Sequence, residues 1–137
     1  MRTNLTTIYE IFPTAESCLE YLEAIRWNGQ PECPYCGSSK YSRLNQESRY
    51  HCNKCNTSYS VTVKTLFHKT RLDIQKWFLT IFLLMDVGED PSARELAAII
   101  KVNKNTACFL AMRIRHARAK EFNLLSQIAE RVRGIRQ

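Results

Sequence analysis

Cys33-Pro34-Tyr35-Cys36 and, fifteen residues further on, Cys52-Asn53-Lys54-Cys55 decide how this chain is read. The pattern C-x2-C-x15-C-x2-C lies within the range of four-cysteine zinc sites. Two thiolates two residues apart can reach one ion from a single tight turn. Two such turns facing each other complete a tetrahedron. Gly37 follows the first turn, where the lack of a Cβ lets backbone amides point at the sulfurs. Asn56 holds the equivalent place after the second, and Asn also tolerates the left-handed conformation.

The surrounding residues make a metal necessary. Residues 31–63 are rich in Cys, Tyr, Ser and Asn and poor in Leu and Ile. Lys40–Leu44, Arg49–Cys52 and Tyr59–Val63 read as brief strands, with too little apolar surface for an independent core. Disulfides, a redox-active Cys-x-x-Cys and a mononuclear iron site compete with zinc for these cysteines. Disulfides fit a secreted chain, and no signal peptide precedes them. A redox pair needs only two cysteines beside a βαβ pattern, which is absent. Iron accepts the same four ligands and stays open. One structural Zn2+ is the expectation: four thiolates leave no position for a catalytic water. Binding energies of roughly 10–16 kcal/mol in small zinc modules suffice to order such a segment. His51 abuts Cys52, but the cysteines already fill the coordination sphere. Cys18 and Cys108 stand outside the pattern and are expected as small buried hydrophobes.

Upstream, residues 1–13 have weak periodicity. Thr14 is a candidate N-cap for a helix from Ala15 to Trp27, whose Cys18, Leu19, Leu22 and Ile25 repeat at helical spacing. Asn28-Gly29 ends it. Downstream, Asp73 can cap a helix from Ile74 to Val87 that is apolar over more than half its circumference, a pattern of a central core helix. Gly88-Glu89-Asp90-Pro91 breaks it. Helices over Ser92–Ile100, Lys104–Lys120 and Phe122–Val132 follow. The division expected is an N-terminal helical segment (1–30), the four-cysteine ribbon (31–66) and a helical module (67–137). The fold class is α+β, mostly α, with short antiparallel strands confined to the ribbon.

Charge singles out the last third. Net charge is +7. Residues 1–91 hold ten residues of each sign, whereas 92–137 hold ten Lys/Arg against three acidic residues, so the whole excess lies there. Such a segment attracts polyanions, nucleic acid first. Ser92-Ala93-Arg94-Glu95 is a capping box. Leu96, Ile99 and Ile100 supply a buried face, Val102 plugs a turn and Asn103 caps the next helix. This is helix-turn-helix rhythm over 92–120, although many such turns have Gly where Lys101 stands. Lys104, Asn105 and Thr106 open the candidate recognition helix, where polar groups reach base edges or phosphates. Arg113, Arg115, Arg118 and Lys120 are candidate phosphate contacts. Lys40, Arg43, Arg49 and Lys54 are candidate backbone contacts from the ribbon.

Across residues 18–120 the chain resembles the N-terminal region of zinc-ribbon-bearing DDE-type insertion-sequence transposases. The likeness is carried by Cys18-Leu19-Glu20-Tyr21-Leu22, Trp27-Asn28-Gly29, Cys33-Pro34-Tyr35-Cys36-Gly37, Tyr50-His51-Cys52-Asn53-Lys54-Cys55, Tyr59-Ser60-Val61-Thr62 and Thr65-Leu66-Phe67-His68. Trp77-Phe78, Glu95-Leu96-Ala97 and Arg113-Ile114-Arg115 continue it. The resemblance implies recognition of transposon-end DNA by ribbon and helix-turn-helix. Those transposases continue into a nuclease-like domain whose acidic residues bind two metal ions. Here only Glu121 and Glu130 follow residue 95, and two-metal chemistry needs several convergent carboxylates. No catalytic residue is therefore assigned. The chain reads either as a cut-down regulatory relative or as part of a longer protein.

The expected partner is double-stranded DNA, with neither a membrane nor a small-molecule substrate. A protein-interaction adaptor docking on transcription or recombination machinery is the rival reading. Phe122, Leu125, Ile128 and Val132 form one stripe, which can support a homodimer or pack on its own domain. No apolar run approaches the ~20 residues of a membrane span, and cytoplasmic residence is expected.

Overall fold

The computed structural model describes residues 4–44, 49–68, 72–85 and 91–136. Two compact units are formed, one by Glu16–Thr70 and one by Met1–Ala15 together with Arg71–Gln137. The boundaries thus fall at 15/16 and 70/71, where the sequence suggested 30 and 66. The segment over 1–30 divides between the two units, most of its second helix grouping with the ribbon.

In the ribbon unit, helix α2 (Ala15–Trp27) begins directly after Thr14. It buries Cys18 and Leu22, as its periodicity requires. It ends where Asn28 and Gly29 both take positive φ, +51° and +80°. Strands β1 (Tyr41–Arg43), β2 (Tyr50–Cys52) and β3 (Ser58–Tyr59) make one antiparallel sheet in the order β1-β2-β3. Tyr41 pairs with Cys52, Arg43 with Tyr50, and Tyr50 with Tyr59. Sheets this short do not stand alone in water.

The third strand is shorter than expected. Val61-Thr62-Val63 leaves the sheet for consecutive turns, with Val63 N–H donating to Ser60 O (3.2 Å) and Thr65 N–H to Thr62 O (3.1 Å). The reason is local: Ser60 and Thr62 hydroxyls pair at 2.8 Å, the Thr65 hydroxyl donates to Thr62 O at 2.6 Å, and Lys64 has φ +63°. Such side-chain bonds offer the backbone an alternative to the ladder.

The second unit is helical: α1 (Leu5–Ile11), α3 (Ile74–Met85), α4 (Ala93–Ile100), α5 (Lys104–Ala117) and α6 (Phe122–Arg136). Helix α3 is its centre. Every residue from Ile74 to Leu84 except Lys76 is buried, and α3 packs against each of the other four helices, most extensively α6. The buried Thr80 hydroxyl donates to Lys76 O one turn back (2.8 Å), so it brings no unpaired group into the core. The expected end at Val87 and the Gly88–Asp90 breaker lie outside the described residues.

Helix α1 has no counterpart in the sequence reading. Asn4 caps it, its side chain accepting from Thr7 N–H at 3.1 Å. Leu5, Ile8 and the following Phe12 are buried, and the Phe12 ring meets Phe78 edge-on at 5.0 Å. A seven-residue helix is marginal by itself; this contact with α3 supplies what local propensity does not.

The α6 stripe is used internally. Leu125, Ile128, Ala129 and Val132 are at most 3% exposed, which removes them as a homodimer surface. Of the stripe only Phe122 remains outside, at 55%. Cys18 is buried as expected, whereas Cys108 is exposed: Ala107, Leu110, Ala111 and Ile114 form the inner face of α5, and position 108 points away from it.

The helix-turn-helix forms at residues 92–117. Both bonds of the Ser92/Glu95 capping box are present. The Asn103 side chain accepts from Thr106 N–H at 2.7 Å. Lys101 stands in the left-handed region (φ 56°, ψ 55°) where such turns favour Gly. A left-handed L-residue costs about 1–2 kcal/mol, and Gly elsewhere costs about 0.5–1 kcal/mol. Lys101→Gly is therefore expected to stabilise the helical unit by about 0.5–1 kcal/mol. A urea titration of the zinc-loaded chain checks this; a lowered midpoint would contradict the strain argument.

Candidate metal centre and nucleic-acid interface

The two cysteine turns are built identically. Cys33 N–H donates to Ser38 O (3.0 Å) and Gly37 N–H to Cys33 O (2.8 Å); Cys52 N–H donates to Thr57 O and Asn56 N–H to Cys52 O, both at 2.9 Å. Each needs a left-handed residue four positions after its first cysteine. Gly37 (φ 78°) and Asn56 (φ 59°) supply it. Sheet register then aims the second turn, since Cys52 ends β2 opposite Tyr41. Asn53 fastens that turn to the first strand, its N–H donating to Lys40 O (3.0 Å) and its side-chain oxygen accepting from the Ser42 hydroxyl (3.2 Å).

All four sulfurs lie within 4.8 Å of one another. Cys33 and Cys55 Sγ are 3.7 Å apart, and Cys36 and Cys52 Sγ 3.5 Å. Two Zn–S bonds of ~2.3 Å at the tetrahedral angle span about 3.8 Å, so the cage has the size of the ion. A disulfide needs about 2.05 Å, and all six cysteines are free thiols. His51 takes no part: on β2, Tyr50 and Cys52 are buried while His51 alternates to the other face.

Thiol acidity shows why a cation belongs there. The Cys55 amide donates to Cys52 Sγ at 3.4 Å. That bond, with help from Lys54 N–H and neighbouring thiols, lowers the Cys52 thiol to about 6. Cys55 is lowered too, chiefly by the Thr57 hydroxyl. Cys36 moves oppositely: the Ser38 amide favours its thiolate, but burial and the three neighbouring thiols together push it up to about 11. Four thiolates this close cannot all ionise without compensating charge, and a dication provides it.

The centre is continuous with a small aromatic core. Cys33, Cys52, Tyr50, Tyr59 and Val63 are buried together, with Trp27 of α2 packed on them. Trp27 meets Tyr50 and Tyr59 edge-on at 5.6 and 5.8 Å. Tyr50 Oη donates to Glu23 Oε1 at 2.7 Å, and Arg26 donates to Val61 O at 2.5 Å. Burial first, then the Glu23 bond, holds Tyr50 up at about 12, so it stays a neutral donor. Tyr59 Oη is buried without a hydrogen-bond partner, and nothing in the structure explains it.

The other candidate contacts distribute unevenly. Lys104 and Asn105 are exposed at the start of α5, with Thr106 half-buried. Arg115 and Lys120 are exposed. Arg113 is half-buried, its guanidinium over the Phe109 ring at 5.6 Å. Arg118 has an internal duty, donating to Leu84 O at 3.0 Å and satisfying a carbonyl of the last turn of α3. In the ribbon, Lys40, Arg43 and Lys54 are exposed, while Arg49 is half-buried and donates to the Ser58 hydroxyl at 3.2 Å. The sequence reading missed Phe109 and Met112, exposed at 45% and 52% on α5. Helical spacing from the buried Ala107, Leu110, Ala111 and Ile114 would have located them.

Among the described residues, the four cysteines are the one group of three or more Cys, His, Asp and Glu placed to hold a metal. No helix among them is long and apolar enough to cross a membrane.

Comparison with known proteins agrees with this geometry. Residues 13–58 match the family described as the transposase zinc-ribbon domain. The chain is also similar to a Halobacterium salinarum protein described as an uncharacterized protein in transposable element ISH50, 26% identical over 98 residues. That alignment covers 69% of this chain and 33% of the relative, so the chain spans about a third of the curated relative's length. No solved structure matches. The N-terminal region is thus insertion-sequence-transposase-like, and the family match decides zinc over iron for its single structural ion.

Because zinc holds the ribbon unit, a strong chelator is expected to abolish amide-exchange protection over residues 16–68 and to leave α3–α6 protected. Cys33→Ser should do the same. Exchange mass spectrometry checks both; retained ribbon protection in metal-free protein would contradict the role given to the ion.

Acid should release the metal. A thiol lowered in the folded state contributes stability that is complete above its unfolded value of ~8.5 and is lost as pH falls through the folded value. Cys52 stands at about 6 before a cation is considered, and zinc lowers it further. Release is therefore expected below pH 6, read with a zinc-binding dye. Half-release at neutral pH would refute it.

Proposed function

We propose that this chain binds double-stranded DNA through the helix-turn-helix of residues 92–120, as the DNA-recognition part of an insertion-sequence-transposase-like protein. Ribbon contacts position it. The observation carrying this reading is the start of α5. Asn103 caps the helix, and Lys104 and Asn105 project into solvent beside its first free amides. A helix amino end with exposed polar side chains suits phosphate and base-edge contact. The +7 excess confined to residues 92–137 supports it. Arg115 and Lys120 are the outer phosphate contacts, Arg113 an inner one steadied by Phe109. Arg118 contributes less, being partly engaged by Leu84 O. Lys40, Arg43 and Lys54 are the accessible ribbon cations, with Arg49 tied to Ser58.

On this reading the chain recognises DNA in the cytoplasm and does not itself cut it. Metal-dependent strand cleavage by the purified chain would overturn that part. A second reading has one observation in its favour. Phe109 and Met112 are exposed on α5 together with Cys108, a pattern that also fits docking onto a protein of the recombination or transcription machinery.

Lys104→Ala and Lys120→Ala are expected to weaken duplex binding without lowering the melting temperature. Each lost phosphate contact should reduce the slope of log K against log salt by about 1. Fluorescence anisotropy with selected duplexes between 50 and 200 mM salt, on the order of the range where such slopes are read, tests this. No duplex binding at low salt would favour the adaptor.

A further inference from the structure

The ribbon unit contains a half-open cavity of about 150 Å³ beside Tyr50, lined by Glu23, Trp27, Pro31, Tyr41, Arg43 and Tyr50. Three of these are aromatic. Trp27 and Tyr41 each meet Tyr50 edge-on, at 5.6 and 5.4 Å, so their rings stand as walls at an angle to it. Tyr41 is 41% exposed on β1, an edge strand whose three residues are all exposed. The Arg43 guanidinium lies 5.9 Å from the Tyr50 ring centre. One Glu23 oxygen accepts from Tyr50 Oη, and a carboxylate has a second oxygen for another donor.

We propose that this cavity binds one unpaired nucleotide of a DNA strand, its base against Tyr41 and Trp27 and its phosphate toward Arg43. The volume fits: a cavity on the order of 150 Å³ accepts a benzene-sized ring, which is room for a base and not for a base pair. The chemistry selects further. An aromatic cage for an alkylammonium ion is spoiled by a guanidinium in its wall, because the two cations repel. A nucleotide uses every group present. Its π-face stacks on the rings, its anion meets Arg43, and amino or imino hydrogens of its base edge can donate to Glu23. A base within a duplex is stacked on both faces, so the ligand is a single-stranded or extruded nucleotide. This inference goes beyond the duplex reading and uses none of the residues of the helix-turn-helix.

The test is a titration of the zinc-loaded full chain with single-stranded pentanucleotides, followed by the indole N–H resonances of its two tryptophans. Trp27 lines the cavity, whereas Trp77 is buried in α3 of the other unit and serves as internal reference. Saturable movement of the Trp27 signal alone is expected. Tyr41→Ala should weaken it roughly tenfold and Tyr41→Phe should preserve it, as stacking requires. An abasic pentamer of equal charge should not reproduce the effect, a control that holds even if Tyr41→Ala loses its zinc. No Trp27 response, an equal response to the abasic strand, or tighter binding of a trimethyl-lysine peptide would overturn the proposal. The duplex reading fails separately: pentamer binding at Trp27 with no duplex affinity removes that reading alone, and duplex binding with a silent Trp27 removes this one alone.

Discussion

Four sulfurs brought within 4.8 Å of one another make a demand that every neighbouring residue of the ribbon answers. The strands are two or three residues long, and beyond the cysteines the core beneath them offers little but Tyr50, Tyr59, Val63 and Trp27. Such a sheet cannot offset the entropy of ordering its loops. Thiolates bound to a dication change that balance, since the ion's affinity is realised only when both turns are in place. The turns in turn depend on backbone positions that few residues tolerate, at Gly37 and Asn56. Helix α2 belongs to the same structure: Glu23, Arg26 and Trp27 fasten it to Tyr50, Val61 and the aromatic core. The cavity beside Tyr50 therefore exists because the metal does.

The helical unit rests on a different principle. Helix α3 is buried nearly all round, so its neighbours are placed by ordinary apolar packing. Helix α6 buries its apolar stripe except Phe122 and packs mainly on α3, and Arg118 closes the last turn of α3 through Leu84 O. What α5 leaves exposed is its amino end and one outer face. The cost of the tight α4–α5 turn is carried by Lys101, held left-handed, with its carbonyl accepting from Lys76 Nζ at 3.3 Å.

Local features of this structure were the legible ones. Each Cys-x-x-Cys pair, Gly37, Asn56, the Ser92/Glu95 box and the Asn103 cap involve residues within five positions, so chain geometry alone exposes them. The apolar girth of Ile74–Leu84 announced a central helix for a similar reason. Long-range competition hid the rest. Helix α1 depends on Phe12 meeting Phe78, which no window over residues 1–13 contains. The stripe of Phe122, Leu125, Ile128 and Val132 reads alike whether it packs inward or dimerises, and only the position of α3 decides. The bond from Arg118 to Leu84 O joins residues 34 positions apart, so no local pattern announces it. Val61–Val63 has strand composition, but the Ser60, Thr62 and Thr65 hydroxyls draw its backbone into turns.

Charge placement divides labour between the units on the proposed reading. Residues 1–91 are balanced as a whole, but residues 31–66 carry five Lys/Arg against Glu32 and Glu47, so the ribbon adds a modest salt-sensitive attraction to the larger one of residues 92–137. What the ribbon presents is aromatic surface: Tyr41 on an edge strand, Trp27 behind it, one arginine between. Stacking is far less sensitive to ionic strength than phosphate contact, because no condensed ions leave when a ring meets a base. A protein so arranged would find duplex by charge and hold unpaired strand by shape. Most of the first energy lies in the helical unit, which apolar packing sustains, and the second lies in the ribbon, which the tetrathiolate sustains.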